Sequence, residues 1–230
     1  MPQNAFGQWI GEPLENASEG QYPHIDVLPG QSVRVEKIRD SHFDDLFKVY
    51  SCLTSPEKFT YIPFEPFDNK DAFRDFFKIL LSSKDPYYLA IVDQSSGKAV
   101  GTFSLMRIDT KNRVAEMGWV LYSDFLQKTK MATEAQYLVM AYVFEQLQYR
   151  RYEWKCDSLN QASKASAERL GFTYEGCFRQ AVIYKNRNRD TDWYSIIDQE
   201  WPEKKKRLET WLDDSNFDAE GKQIRSLREY

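Results

Sequence analysis

Histidine is nearly absent from these 230 residues, with only His24 and His42 present. A histidine-based triad or zinc centre would have to draw both into one pocket from different segments, so chemistry of that kind loses support. Cysteine is scarce too. Cys52, Cys156 and Cys177 are odd in number and scattered, which suits neither a disulfide framework nor metal-ligand spacing; they read as buried, apolar-like thiols, and no metal is expected. No apolar run approaches the roughly 20 residues that span a bilayer. No basic stretch leads into an apolar core at the N-terminus, so a cytoplasmic protein without a membrane partner is expected. The glycine-rich phosphate loops, the G-x-S-x-G elbow and the H-E-x-x-H helix are all missing. A net charge of -4 argues against coating nucleic acid, which needs a dominant basic face. A local basic pocket remains compatible with it.

What is present is an aromatic-rich chain, 15% Phe, Trp and Tyr, with clear periodicity beyond residue 30. Residues 1–30 carry prolines and glycines without a sustained period and read as an extended arm, anchored by Phe6, Trp9 and Ile10. Ser32–Ile38 alternates as a strand, and Asp40 or Ser41 caps a helix through Phe43, Leu46, Phe47 and Tyr50. Thr60–Phe67 is too rich in proline for regular helix, whereas Asp68–Leu81 has helical spacing. Tyr87–Asp93, Lys98–Arg107 and Arg113–Tyr122 then read as an antiparallel meander. Next comes a helix whose middle, Tyr137–Phe144, is apolar enough to be covered on several sides. A strand over Tyr152–Cys156 follows, with Tyr152, Trp154 and Cys156 alternating with Glu153 and Lys155. A helix from Asn160 to Leu170 ends at Gly171, and strands around Phe172–Tyr184 and Asp190–Asp198 complete the set. The order calls for an α+β architecture over 31–200, with a C-terminal helix at Trp201–Leu212 and a loose tail from Asp213 within 201–230.

One passage carries chemistry. Between Gly118 and Glu134 a strand runs through a loop into the apolar helix, and Lys128 and Lys130 stand at that helix's N-terminus, where the macrodipole disfavours cations. A bound anion reverses the sign: free backbone N–H groups, the two lysines and the Thr129 hydroxyl make a candidate pyrophosphate cradle. A solvated loop with incidental charge is the alternative.

Gln127-Lys128-Thr129-Lys130-Met131-Ala132 resembles the pyrophosphate loop Q/R-x-x-G-x-G/A of the GCN5-related N-acetyltransferase (GNAT) superfamily, with Lys130 in the place of the first glycine. Downstream, Asn160, Ser163, Leu170-Gly171-Phe172 and Glu175-Gly176 resemble the N-x-x-S…L-G-F-x-x-E-G run of its RimJ/RimL-like branch. The arm Phe6–Gly11, the Tyr152–Asp157 strand and a turn at Asn188–Thr191 extend the likeness over most of the chain. The resemblance implies a GNAT fold, a mixed, mostly antiparallel twisted sheet flanked by helices. That sheet is expected to split near the fourth and fifth predicted strands, Arg113–Tyr122 and Tyr152–Asp157. It also implies acetyl-CoA as cofactor and acetyl transfer to a primary amine by direct attack in a ternary complex. The expected acceptor is a small-molecule amine or a peptide N-terminus, and the protein is expected to be a monomer or homodimer.

On the strand Arg113–Tyr122, strict alternation puts Val114, Glu116, Gly118, Val120 and Tyr122 on one face. Glu116 is thus an acid among apolar neighbours. It suits a general base that accepts the amine's proton, directly or through water, or else a partner for a buried arginine. The resemblance assigns the N–H that polarises the acetyl carbonyl to Val120 or Leu121. It assigns cofactor contacts to Gln127, Lys128, Thr129, Lys130, Met131, Ala132, Asn160 and Ser163. Asn160 equally suits a helix N-cap and Ser163 a plain helix-surface serine. The tyrosine acid of many relatives is replaced by Ala167, which leaves Ser163 or water near the leaving sulfur. Tyr61, Phe64, Tyr184 and Trp193 are candidates for an acceptor pocket by cation–π attraction or stacking, or for the core. Lys130 and Ala167 together keep a second class open, a non-catalytic acyl-CoA-binding or interaction protein on the same fold.

Overall fold

The computed structural model describes residues 1–230. Its strands are β1 (Val27–Pro29), β2 (Val33–Lys37), β3 (Tyr87–Asp93), β4 (Ala99–Asp109), β5 (Val114–Tyr122), β6 (Arg151–Asp157), β7 (Thr173–Tyr184) and β8 (Arg187–Ile197). Its helices are α1 (Phe43–Tyr50), α2 (Lys70–Ser82), α3 (Lys130–Ala141), α4 (Gln161–Leu170) and α5 (Trp201–Leu212). The strands form one sheet in the order β1-β2-β3-β4-β5-β6-β8-β7, antiparallel throughout except for the parallel pair β5–β6. The sequence patterns explain the elements. Asn69, Thr129 and Asn160 each accept a backbone N–H at the start of α2, α3 and α4, and Gly171 turns left-handed at φ 103 to end α4, a conformation that costs glycine nothing.

Two cores sit on the two faces of the sheet. The larger, with Val139, Val143, Tyr152, Ala167, Leu170 and Leu208, lies under α3, α4 and α5. The smaller, with Leu46, Tyr50, Phe73, Phe77 and Leu121, lies under α1 and α2. The apolar run after residue 136 is covered by α5, with Phe144 stacked on Trp201 at 5.1 Å, and it ends in a π-helical turn over Tyr142–Gln146 that periodicity did not announce. No helix is long and apolar enough to cross a membrane.

Several expectations change. Phe6, Trp9 and Ile10 do not anchor the arm; they are 87%, 70% and 44% exposed, because residues 1–10 close on themselves through Asn4, Gly7 and Gln8. The arm's last residues form β1. The tail is not loose. Leu227 is fully buried, and Asn216 donates to the Trp211 and Arg225 carbonyls at 3.1 Å each, which binds the tail back against α5. Cys52 and Cys177 are exposed, so only Cys156 is a buried thiol. The residues Asn188–Thr191 lie inside β8; the hairpin turns at Lys185 and Asn186, both at positive φ.

A buried carboxylate ties the first strands to α3. Glu134, 6% exposed, accepts from the backbone N–H groups of Gln31 and Ser32 and from the Ser32 hydroxyl. Gly30 is required beside it, since a Cβ there would lie 2.6 Å from both Glu134 Oε1 and the Val33 carbonyl. Glu134→Gln turns an amide donor toward these donors and should cost about 2 kcal/mol of stability, read as a lower midpoint in urea unfolding with an unchanged slope.

Candidate active site

β5 and β6 pair only from Val114 to Met117, against Arg151 to Trp154. Beyond that point β5 pairs with β4 alone and β6 with β8 alone, so the sheet opens into a V. The cause on the β5 side is a bulge. Pairing with β4 jumps from Gly118–Ser104 to Leu121–Thr102, and Trp119 sits at φ 52, one residue too many on this strand. The extra residue reverses the alternation. Trp119 and Leu121 therefore face the α1–α2 side with Glu116, while Val120 and Tyr122 turn to the α3 side. The single face expected for Glu116, Val120 and Tyr122 is thereby corrected. Leu121 is back in register with β4, and Val120 is the residue left inside the bulge.

The loop above the V leaves a run of backbone donors unpaired. Lys128, Thr129, Lys130 and Met131 direct backbone N–H groups that have no intramolecular acceptor, as the first turn of a helix must unless it is capped. Ala132 N–H is the exception, taken by the Thr129 hydroxyl at 3.2 Å. That hydroxyl also donates to the Leu126 carbonyl at 2.7 Å, so it serves as the cap rather than lining the cradle. Lys130 is likewise withdrawn. Its ammonium lies 2.5 Å from Asp214 and 4.5 Å above the Phe217 ring, so the tail draws aside the side chain that stands where the resemblance expects glycine. Lys130 needs no glycine-only conformation; the positive φ falls on Lys128, which is exposed, as is Gln127. Nearer the sheet, Gln136 Oε1 and the Tyr152 hydroxyl are buried without partners. Orphaned donors at the loop and orphaned polar atoms below it fit a long ligand with an anionic end and amides, as coenzyme A has.

On the β6 side, Asn160 accepts from Ser163 N–H at 3.1 Å as the N-cap of α4, and Ser163 Oγ accepts from Trp154 Nε1 at 2.9 Å. The serine keeps its own proton to donate. Cys156 is beside it, its thiol pushed up to about 11 by burial, with the Ser163 hydrogen bond pulling the other way. Ala167 is fully buried, so α4 offers no acid one turn before Gly171.

The opposite face of the V is roofed by residues 51–69. Lys58 reaches Asp124 at 2.6 Å and the Tyr122 carbonyl at 3.2 Å. Tyr61 donates to the Leu159 carbonyl at 3.1 Å, Glu65 pairs with Lys185 at 2.8 Å and Arg187 donates to the Thr60 carbonyl at 2.6 Å. The loop thus bridges β5, the β6–α4 connection and the β7–β8 hairpin. Phe64 stacks on Trp119 at 6.0 Å and on Tyr50 at 6.1 Å, which makes it mostly core. Tyr184 is buried and donates to Asp157 at 2.8 Å. Trp193 lies under Lys155 Nζ at 3.6 Å.

Glu116 is 5% exposed. Burial raises its carboxyl above the usual range, while Lys155 and Arg107 pull it down. Lys155 Nζ stands 2.9 Å and Arg107 Nε 3.2 Å from Oε2. These neighbours were missed, although the alternation of Glu153 and Lys155 with apolar residues marked a polar face on β6. What one strand's pattern could not supply was the partner across the sheet. No group of His, Cys, Asp and Glu is arranged to hold a metal ion.

Comparisons with known proteins place this architecture. Residues 33–173 match a family model described as an acetyltransferase (GNAT) domain. The crystal structure of a GCN5-related N-acetyltransferase from Brucella melitensis is 40% identical, with a TM-score of 0.91 over 94% of this chain and 98% of that one. The putative ribosomal N-acetyltransferase YdaF of Bacillus subtilis (strain 168) is 31% identical over 105 residues, which span 46% of this chain and 57% of YdaF. The fold is also shared with RimL, a ribosomal L7/L12 alpha-N-protein acetyltransferase solved in complex with coenzyme A. That likeness has 24% identity and a TM-score of 0.62 over 75% of this chain and 99% of that one. A family match across most of the sheet, together with a near-complete structural match, gives one assignment: the chain belongs to the GNAT acetyltransferase family.

Proposed function

We propose that the protein transfers acetyl from acetyl-CoA to a primary amine, by direct attack with both substrates bound, and that the amine is the N-terminus of a polypeptide. The V between β5 and β6, with its bulge at Trp119 and orphaned N–H groups at the start of α3, is the observation that carries this reading. The names of YdaF and RimL support the choice of acceptor class.

Acetyl-CoA, when bound, supplies an activated thioester. The N–H groups of Lys128 to Met131 hold its phosphates, with Lys128 adding charge and Gln127 and Ala132 bounding the loop. Val120 N–H, which has no register partner on β4 or β6, is the donor aimed at the carbonyl oxygen, where negative charge develops; Leu121 is in register with β4 and less available. Asn160 holds the start of α4 and thereby fixes Ser163, whose hydroxyl proton is the one assigned to the departing thiolate. A thiolate of ordinary basicity leaves without a strong acid, so Ala167 is compatible with turnover. From the α1–α2 side, Glu116 takes the amine's proton, directly or through water. Tyr61, Phe64, Tyr184 and Trp193 frame the acceptor's entry.

Acetylation of a panel of peptides and small amines, followed by mass, tests the activity; no product from any amine despite acetyl-CoA binding would overturn it. Glu116→Gln should lower kcat about 10²- to 10⁴-fold with an unchanged Kd for acetyl-CoA, and an undiminished rate removes Glu116 from the base role. The basic form is the active one, so kcat/KM should fall as pH drops through a pKa above the ordinary carboxylate value of about 4.3. Lys128→Glu should weaken acetyl-CoA about tenfold, ~1.4 kcal/mol, while leaving pantetheine binding unaltered; equal losses for the two ligands would contradict the cradle.

A further inference from the structure

Across the face of the sheet that α1 and α2 leave uncovered runs a row of alternating charges. Arg107 of β4 meets Glu116 of β5 at 3.2 Å, Glu116 meets Lys155 of β6 at 2.9 Å, and Lys155 meets Glu153 at 2.7 Å. Glu153 meets Arg151 at 2.7 Å, and Arg151 reaches Glu175 of β7 at 2.5 Å. The centre of this row is its driest part, with the side chains of Lys155 and Glu116 only 4% and 7% exposed.

Lys155 is placed with unusual definition. It is the first residue of β6 beyond the last rung shared with β5, Met117–Trp154, and so stands where the V begins. Its ammonium is held by two carboxylates and by the Trp193 ring, its neighbour on β8. The contact to Glu116 Oε2 has ion-pair distance without hydrogen-bond angles, and Oε2 has no hydrogen-bond partner. The carboxylate's charge is balanced while its lone pairs stay available.

Stability alone does not account for this arrangement. Removing two opposite charges from water costs about as much as their attraction returns, and well-packed apolar residues of similar size serve a core equally well. Moreover Glu116 and Glu153 are direct partners in the β5–β6 register, a like-charge pairing that works against the sheet. The lysine between them sets a positive charge against both carboxylates, at 2.9 Å from Glu116 and 2.7 Å from Glu153.

We propose that Lys155 is the positioning residue for Glu116, holding its carboxylate ionised and directed at the apex of the V, with Glu153 and Trp193 fixing Lys155 in turn. This inference rests on the reading of Glu116 as the base. The charged groups facing Glu116 are Lys155 and Glu153 from β6 and Arg107 from β4, with the Tyr152 hydroxyl also within electrostatic reach. Of these, Lys155 and Arg107 favour the carboxylate and Glu153 opposes it. Two substitutions on β6 must therefore act in opposite directions.

The test follows the ionisation of Glu116 in the intact protein by infrared difference titration, using the carboxyl band that Glu116→Gln abolishes, beside the pH profile of kcat/KM with one peptide acceptor. Because the acceptor's own titration is common to all variants, differences between profiles report the protein. Lys155→Met should move the Glu116 titration and the acidic limb up by about one pH unit or more. Glu153→Gln should move both down, and Lys155→Arg should restore values near the parent. Shifts in the same direction for Lys155→Met and Glu153→Gln, or no shift in either, overturn the inference. If Lys155→Met does not fold, Glu153→Gln decides, a downward shift supporting the inference and an unmoved titration sinking it. Infrared shifts that the rate profile does not follow, with Glu116→Gln at full activity, would instead sink the base reading while leaving Lys155 as the residue that sets the ionisation of Glu116.

Discussion

Everything distinctive in this molecule depends on where two parallel strands stop pairing. β5 and β6 share four rungs and then diverge, and a strand edge in a protein interior presents N–H and C=O groups that must find other partners. The bulge at Trp119 turns β5 away and reverses which residues face which side. Val120 is thereby directed toward the α3 side, while Glu116 remains beneath the α1–α2 side. One inserted residue puts the two side chains on opposite faces of the sheet.

The elements around the V hold it open. α3 begins directly above it, with a cap that consumes one donor and leaves four free. Asp214 and Phe217 draw the Lys130 side chain off the backbone, so an ordinary residue is accommodated without a special backbone conformation. Across the sheet, the loop between α1 and α2 is fastened at both sides of the opening by Lys58, Tyr61, Glu65 and Arg187. A site framed by loops tied to strands at several points is more sharply defined than one left to a free loop.

The charges divide along the same line. On the α3 side the unpaired groups include the N–H donors of a helix start, with Gln136 Oε1 an unpaired acceptor nearer the sheet. On the other side the charges are already paired, and the row from Arg107 to Glu175 alternates in sign. A donor-rich side suits an anionic, amide-bearing ligand. A balanced but dry side suits the transfer of a proton, because small rearrangements of charge there are weakly screened.

The order of strands and helices from β2 to α5, the cap at Asn160, the glycine at 171 and the loop-and-helix spacing from Gln127 to Phe172 were determined by the sequence alone. Each depends on residues a few positions apart, and local periodicity or a side chain reaching its own helix start is sufficient to specify it. What the tertiary structure decided lies at longer range. The fate of Phe6, Trp9 and Ile10, the docking of the tail through Asn216 and Leu227, and the withdrawal of Lys130 toward Asp214 all depend on surfaces brought together from distant parts of the chain. The bulge at Trp119 is the sharpest case. Strict alternation placed Glu116 beside Val120 and Tyr122, and one residue of slip against β4 reversed that, because side-chain direction in a strand has a period of two. Glu116 was visible as a carboxylate in an apolar setting, but its partners Lys155 and Arg107 belong to other strands, and only pairing across the sheet brought them to one point.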